Sequence, residues 1–357
     1  MGRILRVRLD CRQPQLSADQ GDSCNPRIWR RRWRRSRHGR LLYSRAFLNP
    51  VPATMRVLRG LPYSTTCPSA AVLCLGTFDG VHCGHQGLLE RAAAMGLGEM
   101  WTLSFEPAPR EFFDRAAAPA RLSNLLERLL QFRRIGVDGA VILRFNRALA
   151  QLSPEQFVVA AIKPLRPQVV VIGADFRFGA RRAGDAARLL ALGQEHGFKV
   201  EVLADIERDG ERVSSTALRA ALARHDFAHA QHLLGRAYAM SGRVVRGQQL
   251  GRKLGFATAN MRIKRVHSPL HGIYAVRMHG LPDKIHDGVA SIGTRPTVGG
   301  TEWLLETHLF DFEQDIYGKR VDVEFVRFLR EELKFDSLDR MIEQMHKDAA
   351  YAREALK

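Results

Sequence analysis

From Met55 onward, short apolar runs alternate with stretches of helical spacing. Val72–Leu75, Met100–Phe105, Ala140–Arg144, Val169–Ile172 and Lys199–Leu203 are compact runs dominated by apolar side chains. Between them, Gln86–Met95, Arg121–Ile135, Pro154–Lys163 and Ala186–His196 place apolar residues three and four positions apart, the period of an amphipathic helix. Strands that read as continuous apolar runs and alternate with helices predict a parallel sheet covered on its faces. Two short helices, about Thr216–Arg224 and Phe227–Leu234, close this unit.

After Gly235 the pattern changes. Tyr238–Arg246, Ile273–His279, Gly288–Ile292, Leu304–Phe312 and Arg320–Phe328 are strand-like and separated by glycine-bearing turns. They predict a small antiparallel barrel or sandwich. Leu338, Met341, Ile342, Met345, Ala349 and Leu356 follow helical spacing and predict a closing helix packed on it. The fold class is therefore α/β followed by all-β. The chain divides into an extension at 1–54, an α/β domain at 55–236 and a β domain with a C-terminal helix at 237–357.

The 357 residues are 45% hydrophobic and 26% charged, enough for two ordinary cores. No apolar run reaches the ~18 residues of a membrane helix. The five cysteines show no paired spacing, so a reducing, cytoplasmic setting is expected. The net charge of +18 resembles a nucleic-acid signal, but +10 of it falls within residues 1–54, which hold 13 arginines. That segment is expected to be disordered, because dense like charges repel. It reads as a phosphate-gripping arm with Trp29 and Trp33, a transit peptide, or a polyanion-binding tail. The favoured reading is that translation begins at Met55. Neither a membrane nor a nucleic-acid partner is expected for the folded part.

Gly76-Thr77-Phe78-Asp79-Gly80-Val81-His82-Cys83-Gly84-His85 follows the first strand and opens a helix. Ligands of open α/β sheets bind beyond the carboxyl ends of strands. A helix N-terminus offers N–H groups to an anion. Gly76, Phe78, Asp79, Gly80 and Gly84 form the candidate nucleotide cradle. His82 and His85 can donate to phosphate oxygens. A zinc reading of His82, Cys83 and His85 lacks a distant ligand pair. Further on, Asp175, Phe176 and Phe178 lie in a glycine-flanked loop suited to a flat ring, or to plugging the core. Ser215 and Thr216 are phosphate ligands or helix caps, with Arg219 one turn on.

In the β domain, the run from Gly242 to Asn260 is rich in glycine. Gly247 and Gly251 suit close approach to a nucleotide. Thr258 and Asn260 offer oxygens to Mg²⁺ or phosphate. Glu306, in an apolar strand, is either structurally paired or a general base.

The motifs G-x-F-D-G-V-H-x-G-H, G-x-D-F-x-F-G and S-S-T-x-x-R, in this order, resemble the FAD synthetase domain of bacterial bifunctional riboflavin kinase/FAD synthetases. That domain belongs to the H-x-G-H nucleotidyltransferases, so the resemblance implies a Rossmann-like sheet. The G-F-A-T-A-N run, the L-E-T-H-L strand and Asp315-Ile316-Tyr317-Gly318-Lys319 resemble the family's riboflavin kinase domain. Ala257 stands where the family has proline. Gln248 and Gln249 stand where relatives are often acidic.

The resemblance implies riboflavin, FMN, FAD and ATP as substrates and products, with Mg²⁺. Glu306 would be the base for phosphorylation of riboflavin, with metal at Thr258 and Asn260. His82, His85, Ser215, Thr216 and Arg219 would serve adenylylation of FMN. Narrower alternatives are a synthetase whose barrel only binds flavin, or a nucleotidyltransferase for another acceptor. A different class is a flavin sensor or nucleic-acid binder using the arginine-rich arm.

Overall fold

The computed structural model describes residues 4–6, 55–61, 69–247, 256–281, 284–297 and 300–357. A seven-stranded sheet contains β1 (Ile4–Arg6), β2 (Arg56–Arg59), β3 (Val72–Leu75), β4 (Met100–Glu106), β5 (Gly139–Arg144), β6 (Val169–Gly173) and β7 (Lys199–Leu203). Its order is β1-β2-β5-β4-β3-β6-β7. The five pairings from β2 to β7 are parallel, and β1 adds antiparallel to β2. Apart from Ile4–Arg6, the disorder expected for the extension lies outside the described residues. β2 is an addition to the predicted strands: four residues bounded by arginines give little strand signal.

The chain runs outward from β3 through β4 and β5, then returns to place β6 on the other flank of β3. This reversal opens a crevice at the carboxyl ends of β3 and β6. Both sheet faces are covered, as continuous apolar strands require. Leu73, Leu103, Val141 and Val170 pack on one side with Phe157 and Leu189. Val72, Met100, Ile142 and Val171 pack on the other with Leu89 and Phe132.

The covering helices are α1 (Cys83–Ala93), α2 (Pro109–Phe113), α3 (Leu125–Ile135), α4 (Arg147–Ala150), α5 (Pro154–Phe157) and α6 (Ala186–His196). Two departures from the expected helices have local causes. α3 starts at Leu125 because Asn124 and Glu127 form a reciprocal capping box, leaving Arg121–Asn124 non-helical. The helix expected over Pro154–Lys163 is α5 followed by a π-turn at Val158–Ile162 and a 3-10 turn at Lys163–Leu165. Pro164 cannot continue an α-helix.

A hairpin, β8 (Glu207–Arg208) and β9 (Glu211–Arg212), leads into α7 (Ser215–Ala223) and α8 (Phe227–Leu234). The β domain is a closed antiparallel barrel: β10 (Ala239–Val245), β11 (Thr258–Ile263), β12 (Gly272–His279), β13 (His286–Thr297), β14 (Gly300–Leu309) and β15 (Arg320–Arg330), in the order β10-β11-β14-β13-β12-β15. Closure settles the barrel-or-sandwich alternative. β11 is a strand that the sequence pattern does not predict, because its Thr-Ala-Asn start carries little strand signal. The C-terminal helix Leu338–Ala355 packs through Ala352, with Leu356, against Ala275 and Phe310. Leu338, expected in that contact, is 52% exposed.

The hydrophobic cores do not divide where the texture of the sequence changes. Leu218, Leu222, Leu233 and Leu234 of α7 and α8 share one core with Tyr238, Tyr274, Val276 and Phe325 of the barrel.

Candidate active sites

The Gly76–His85 loop joins β3 to α1 inside the crevice. Phe78, Gly80 and Val81 all have positive φ, at 51°, 83° and 42°. For Phe78 and Val81 that conformation is costly. Both side chains are wholly buried, and this anchors the turn. The Phe78 ring meets Phe132 edge-on at 5.2 Å and His85 at 5.3 Å. A Cβ on Gly76 would come within 3.1 Å of that ring. Phe78 thus shapes the loop from below, its ring buried in the core, so that any part it has in the nucleotide cradle falls to its backbone.

α1 starts at Cys83 with His82 as N-cap, and no side chain among the described residues caps it. Its first-turn N–H groups, which a helix cannot satisfy internally, lie in the loop itself. The His82 and His85 rings stack at 3.7 Å between centroids. Each Nδ1 is buried without a hydrogen-bond partner among the described residues. Burial pushes the His82 pKa down to about 4, against the opposing pull of Asp79. Burial, then His82 and Arg128, holds His85 well below the usual histidine range. Both rings are neutral at pH 7. Gly84 allows their stack: a Cβ there would press on the His82 ring at 3.1 Å and the Val213 carbonyl at 3.2 Å. The Cys83 thiol is turned to the His232 carbonyl, 3.8 Å away.

Asp79 organises the loop. Its carboxylate accepts from the N–H groups of Leu122 (3.2 Å) and Ser123 (3.0 Å), the Ser123 hydroxyl (3.3 Å) and Arg219 Nη2 (2.5 Å). The Ser215 hydroxyl donates to the Asp79 carbonyl at 3.0 Å. Gly80 N–H donates to Ser123 Oγ at 2.8 Å. Arg219 also donates to the carbonyls of Ala120 (2.6 Å) and Ser215 (3.2 Å). The capping alternative falls to Ser214, which accepts from Ala217 N–H at 3.1 Å. Thr216 is left exposed in the first turn of α7. Behind the loop, buried Arg128 donates to the Thr77 carbonyl (2.8 Å), Ser104 Oγ (2.9 Å) and Glu106 (2.6 Å).

The expected flavin loop divides in two. Phe178 is 5% exposed, packs on Phe157, and bonds backbone to backbone with Gly184. It plugs the core rather than facing a ring system. Phe176 stacks on Phe178 at 5.7 Å and stays partly exposed, while Asp175 pairs with Arg212 at 2.8 Å. Sequence reasoning missed a second aromatic group. Phe105 lies near the end of β4, Phe112 and Phe113 lie on α2, and Phe145 follows β5. Phe145 meets Phe105, Phe112 and Phe113 at 5.6, 5.4 and 5.7 Å. Phe113 is 68% exposed. Two prolines after a strand, followed by Phe112-Phe113, were the available signal.

In the barrel, strand pairing sets Glu306 opposite Asn260 on one side and Ser291 on the other. Asn260 is buried. Its amide nitrogen donates to the carbonyl (3.2 Å) and hydroxyl (3.3 Å) of Thr258. Its Oδ1 is buried with no partner among the described residues. Gly247 lies directly over this amide: a Cβ there would fall 2.6 Å from Asn260 Cγ. Glu306 accepts from Arg295 Nη2 at 3.4 Å. Burial raises the Glu306 pKa, Arg295 opposes this and Glu332 adds to it. The Ala257 carbonyl accepts from His308 Nδ1 at 3.0 Å, which steadies the segment where the fixed φ of a proline is missing. Tyr317 N–H donates to Asp315 Oδ1 at 2.8 Å, and Gly318 turns at φ 75°. Gly251, Gln248 and Gln249 lie outside the described residues.

A family model for FAD synthetase matches residues 64–217, and one for riboflavin kinase matches residues 234–356. The bifunctional riboflavin kinase/FMN adenylyltransferase of Escherichia coli (strain K12) is 44% identical over 306 residues, covering 84% of this chain and 97% of that protein. The chain belongs to the bifunctional riboflavin kinase/FMN adenylyltransferase family. The Haemophilus influenzae relative of the same name is 40% identical over 304 residues, covering 84% and 98%. A solved structure, described as a macrolide-efflux protein from Streptococcus pneumoniae, aligns with a TM-score of 0.67 at 30% identity, covering 83% of this chain and 98% of that one. Within the family assignment, the FAD synthetase domain is N-terminal and the flavokinase domain C-terminal. The two activities are phosphorylation of riboflavin and adenylylation of FMN. Among the described residues no helix is long and apolar enough to cross a membrane.

Proposed function

We propose that the crevice at the carboxyl ends of β3 and β6 adenylylates FMN, and that the Asn260–Glu306 face of the barrel phosphorylates riboflavin. The observation that carries this reading is the chemical contrast of the two places. One offers two neutral, stacked histidines at a helix N-terminus. The other offers a carboxylate of raised pKa beside an amide oxygen with no partner among the described residues.

In the barrel, the riboflavin 5′-hydroxyl attacks the γ-phosphorus of ATP. Glu306 takes the hydroxyl proton as the new P–O bond forms and ADP leaves. Thr258 and Asn260 fit Mg²⁺, since Asn260 Oδ1 is a buried acceptor with no donor among the described residues, which a cation satisfies. Bound there, Mg²⁺ supplies charge neutralisation at the phosphates of ATP. Gly247 gives the nucleotide close backbone approach.

In the crevice, the phosphate of FMN attacks the α-phosphorus of a second ATP, giving FAD and pyrophosphate. This nucleophile is already anionic, so no base is required. The site aligns the reactants and stabilises the leaving pyrophosphate. His82 and His85 donate as neutral imidazoles. Gly84 and the first turn of α1 receive phosphate oxygens, and Gly80, whose N–H is held by Ser123, shapes the turn before them. Thr216 offers an exposed hydroxyl for the same task. Asp79, Ser215 and Arg219 hold the loop and α7 in register. The isoalloxazine ring rests on the exposed aromatic group of Phe112 and Phe113, with Phe176 at the opposite loop. We assign both steps to the cytoplasm, in keeping with the free thiols of Cys74 and Cys83.

A product time course tests the reading. With riboflavin, ATP and Mg²⁺, FMN should rise first and FAD follow. FAD formed only from supplied FMN would mean a barrel that binds flavin without phosphorylating it.

A further inference from the structure

The adenylylation loop is held from the far side by the barrel. The link runs through the non-helical segment Arg121–Asn124. On one side, the N–H groups of Leu122 and Ser123 donate to Asp79, and the carbonyl of neighbouring Ala120 accepts from Arg219. On the other, the Leu122 carbonyl accepts from Arg265 Nη2 and from the Tyr238 hydroxyl, each at 3.2 Å. Arg265 follows β11 and Tyr238 precedes β10. The same Nη2 donates to Glu127 Oε2 at 2.6 Å. Side-chain exposure is 1% for Arg265 and 9% for Glu127. Glu127 Oε1 accepts from Ser241 N–H in β10 at 2.7 Å, and Arg121 N–H donates to the His267 carbonyl at 3.0 Å.

We infer that Arg265, a residue of the kinase barrel, is a positioning residue for FMN adenylylation. A buried ion pair is a weak device for stability, because desolvation offsets most of the attraction. It is a strong device for fixing geometry, since a buried charge tolerates few arrangements. Here the fixed object is the short segment around Leu122. Its carbonyl is clamped by Arg265 and Tyr238, so its N–H groups hold Asp79 in one place. Asp79 in turn sets Arg219 and the turn that leads to His82. Among the described residues the hydrogen bonds of Arg265 go to Leu122 and Glu127, not to Asn260 or Glu306. The FAD synthetase fold therefore receives one wall of its catalytic loop from the domain that performs the preceding reaction.

The proposal rests on assigning adenylylation to the Gly76–His85 loop, so His82→Ala is measured alongside. If His82→Ala leaves FAD formation intact, that assignment fails by itself, whatever Arg265 does. The direct test is the double substitution Glu127→Gln with Arg265→Gln in the full chain. It removes both charges together and strands neither. Turnover of FMN to FAD should fall about ten- to a hundredfold, the cost of a small misplacement of reacting groups. KM for FMN and ATP should stay within about twofold, and riboflavin phosphorylation should be unchanged. Arg265→Lys keeps one donating nitrogen and should recover most of the turnover. Equal loss of both activities, or no loss of either, would overturn the proposal. Tyr238→Phe removes only the second donor to Leu122 and leaves the ion pair intact. It should lower FAD turnover about threefold with kinase activity unmoved, and it decides the matter if the double variant does not fold.

Discussion

The two candidate sites solve opposite problems. In the crevice the groups that anchor the loop are already engaged, Asp79 with four donors, Arg219 with three acceptors and Ser215 with the loop backbone, while the Nδ1 atoms of His82 and His85 have no partner among the described residues. In the barrel the central amide oxygen of Asn260 has no partner among the described residues, and Glu306 has one long contact with Arg295. The difference follows the nucleophiles. FMN phosphate arrives charged, and what remains is alignment, which a rigid and dry loop supplies. The hydroxyl of riboflavin must lose a proton, which calls for a base whose pKa its surroundings can move.

The sharpest way to break this comparison is to disable each site alone. His82→Ala should lower FAD formation about a thousandfold by removing a donor to the leaving phosphate, with FMN formation from riboflavin untouched. Glu306→Ala should lower FMN formation about a hundredfold or more and leave adenylylation of supplied FMN intact. Loss of both activities from either substitution, in folded protein, would show that the sites are misassigned.

Acid should separate them too. A base with a raised pKa loses function early on acidification, so riboflavin phosphorylation should fall at a higher pH than FAD formation. FAD formation should persist until the region of pH 4, where His82 gains its proton. Stability carries the same sign. The pKa of His82 is lower folded than unfolded, so the unfolded chain binds more protons as pH drops below about 6.5. Its contribution is present above that pH and is lost towards pH 4, which thermal unfolding across the range would register.

Smaller effects sharpen the contrast. Phe113→Ala should raise KM for FMN in adenylylation about tenfold, the scale of one lost aromatic stacking surface, without changing KM for riboflavin. Ala257→Pro should alter kinase turnover by no more than about threefold, because the His308 hydrogen bond already steadies that carbonyl. Steady-state kinetics on the two half-reactions distinguishes both.

The sheet, the barrel and the position of the Gly76–His85 loop were legible because they rest on local signals. Val72–Leu75 reads as a central strand from its apolar run, and glycines after it mark the turn. The two aromatic assignments were not legible. Whether Phe78 or Phe178 faces a ligand or the core depends on φ at one residue and on distant partners such as Phe132 and Phe157. The division of labour among Ser214, Ser215 and Thr216 turns on where α7 begins, a matter of one residue. Arg219 has the chemistry of a phosphate ligand, yet three acceptors from separate segments occupy it.

The packing of α7 and α8 has a consequence for how such a chain can be taken apart or put together. These helices precede Gly235 in sequence, yet their apolar faces fill the floor of the barrel. A kinase fragment begun at Gly235 would lose that floor and expose Tyr274 and Phe325. One begun upstream of Val213 would keep it and carry the Ser215 and Arg219 anchors away from the synthetase. Either cut damages one partner. Two catalysts joined in this way are inherited as a unit, and exchange of halves between relatives succeeds only where the seam residues travel together.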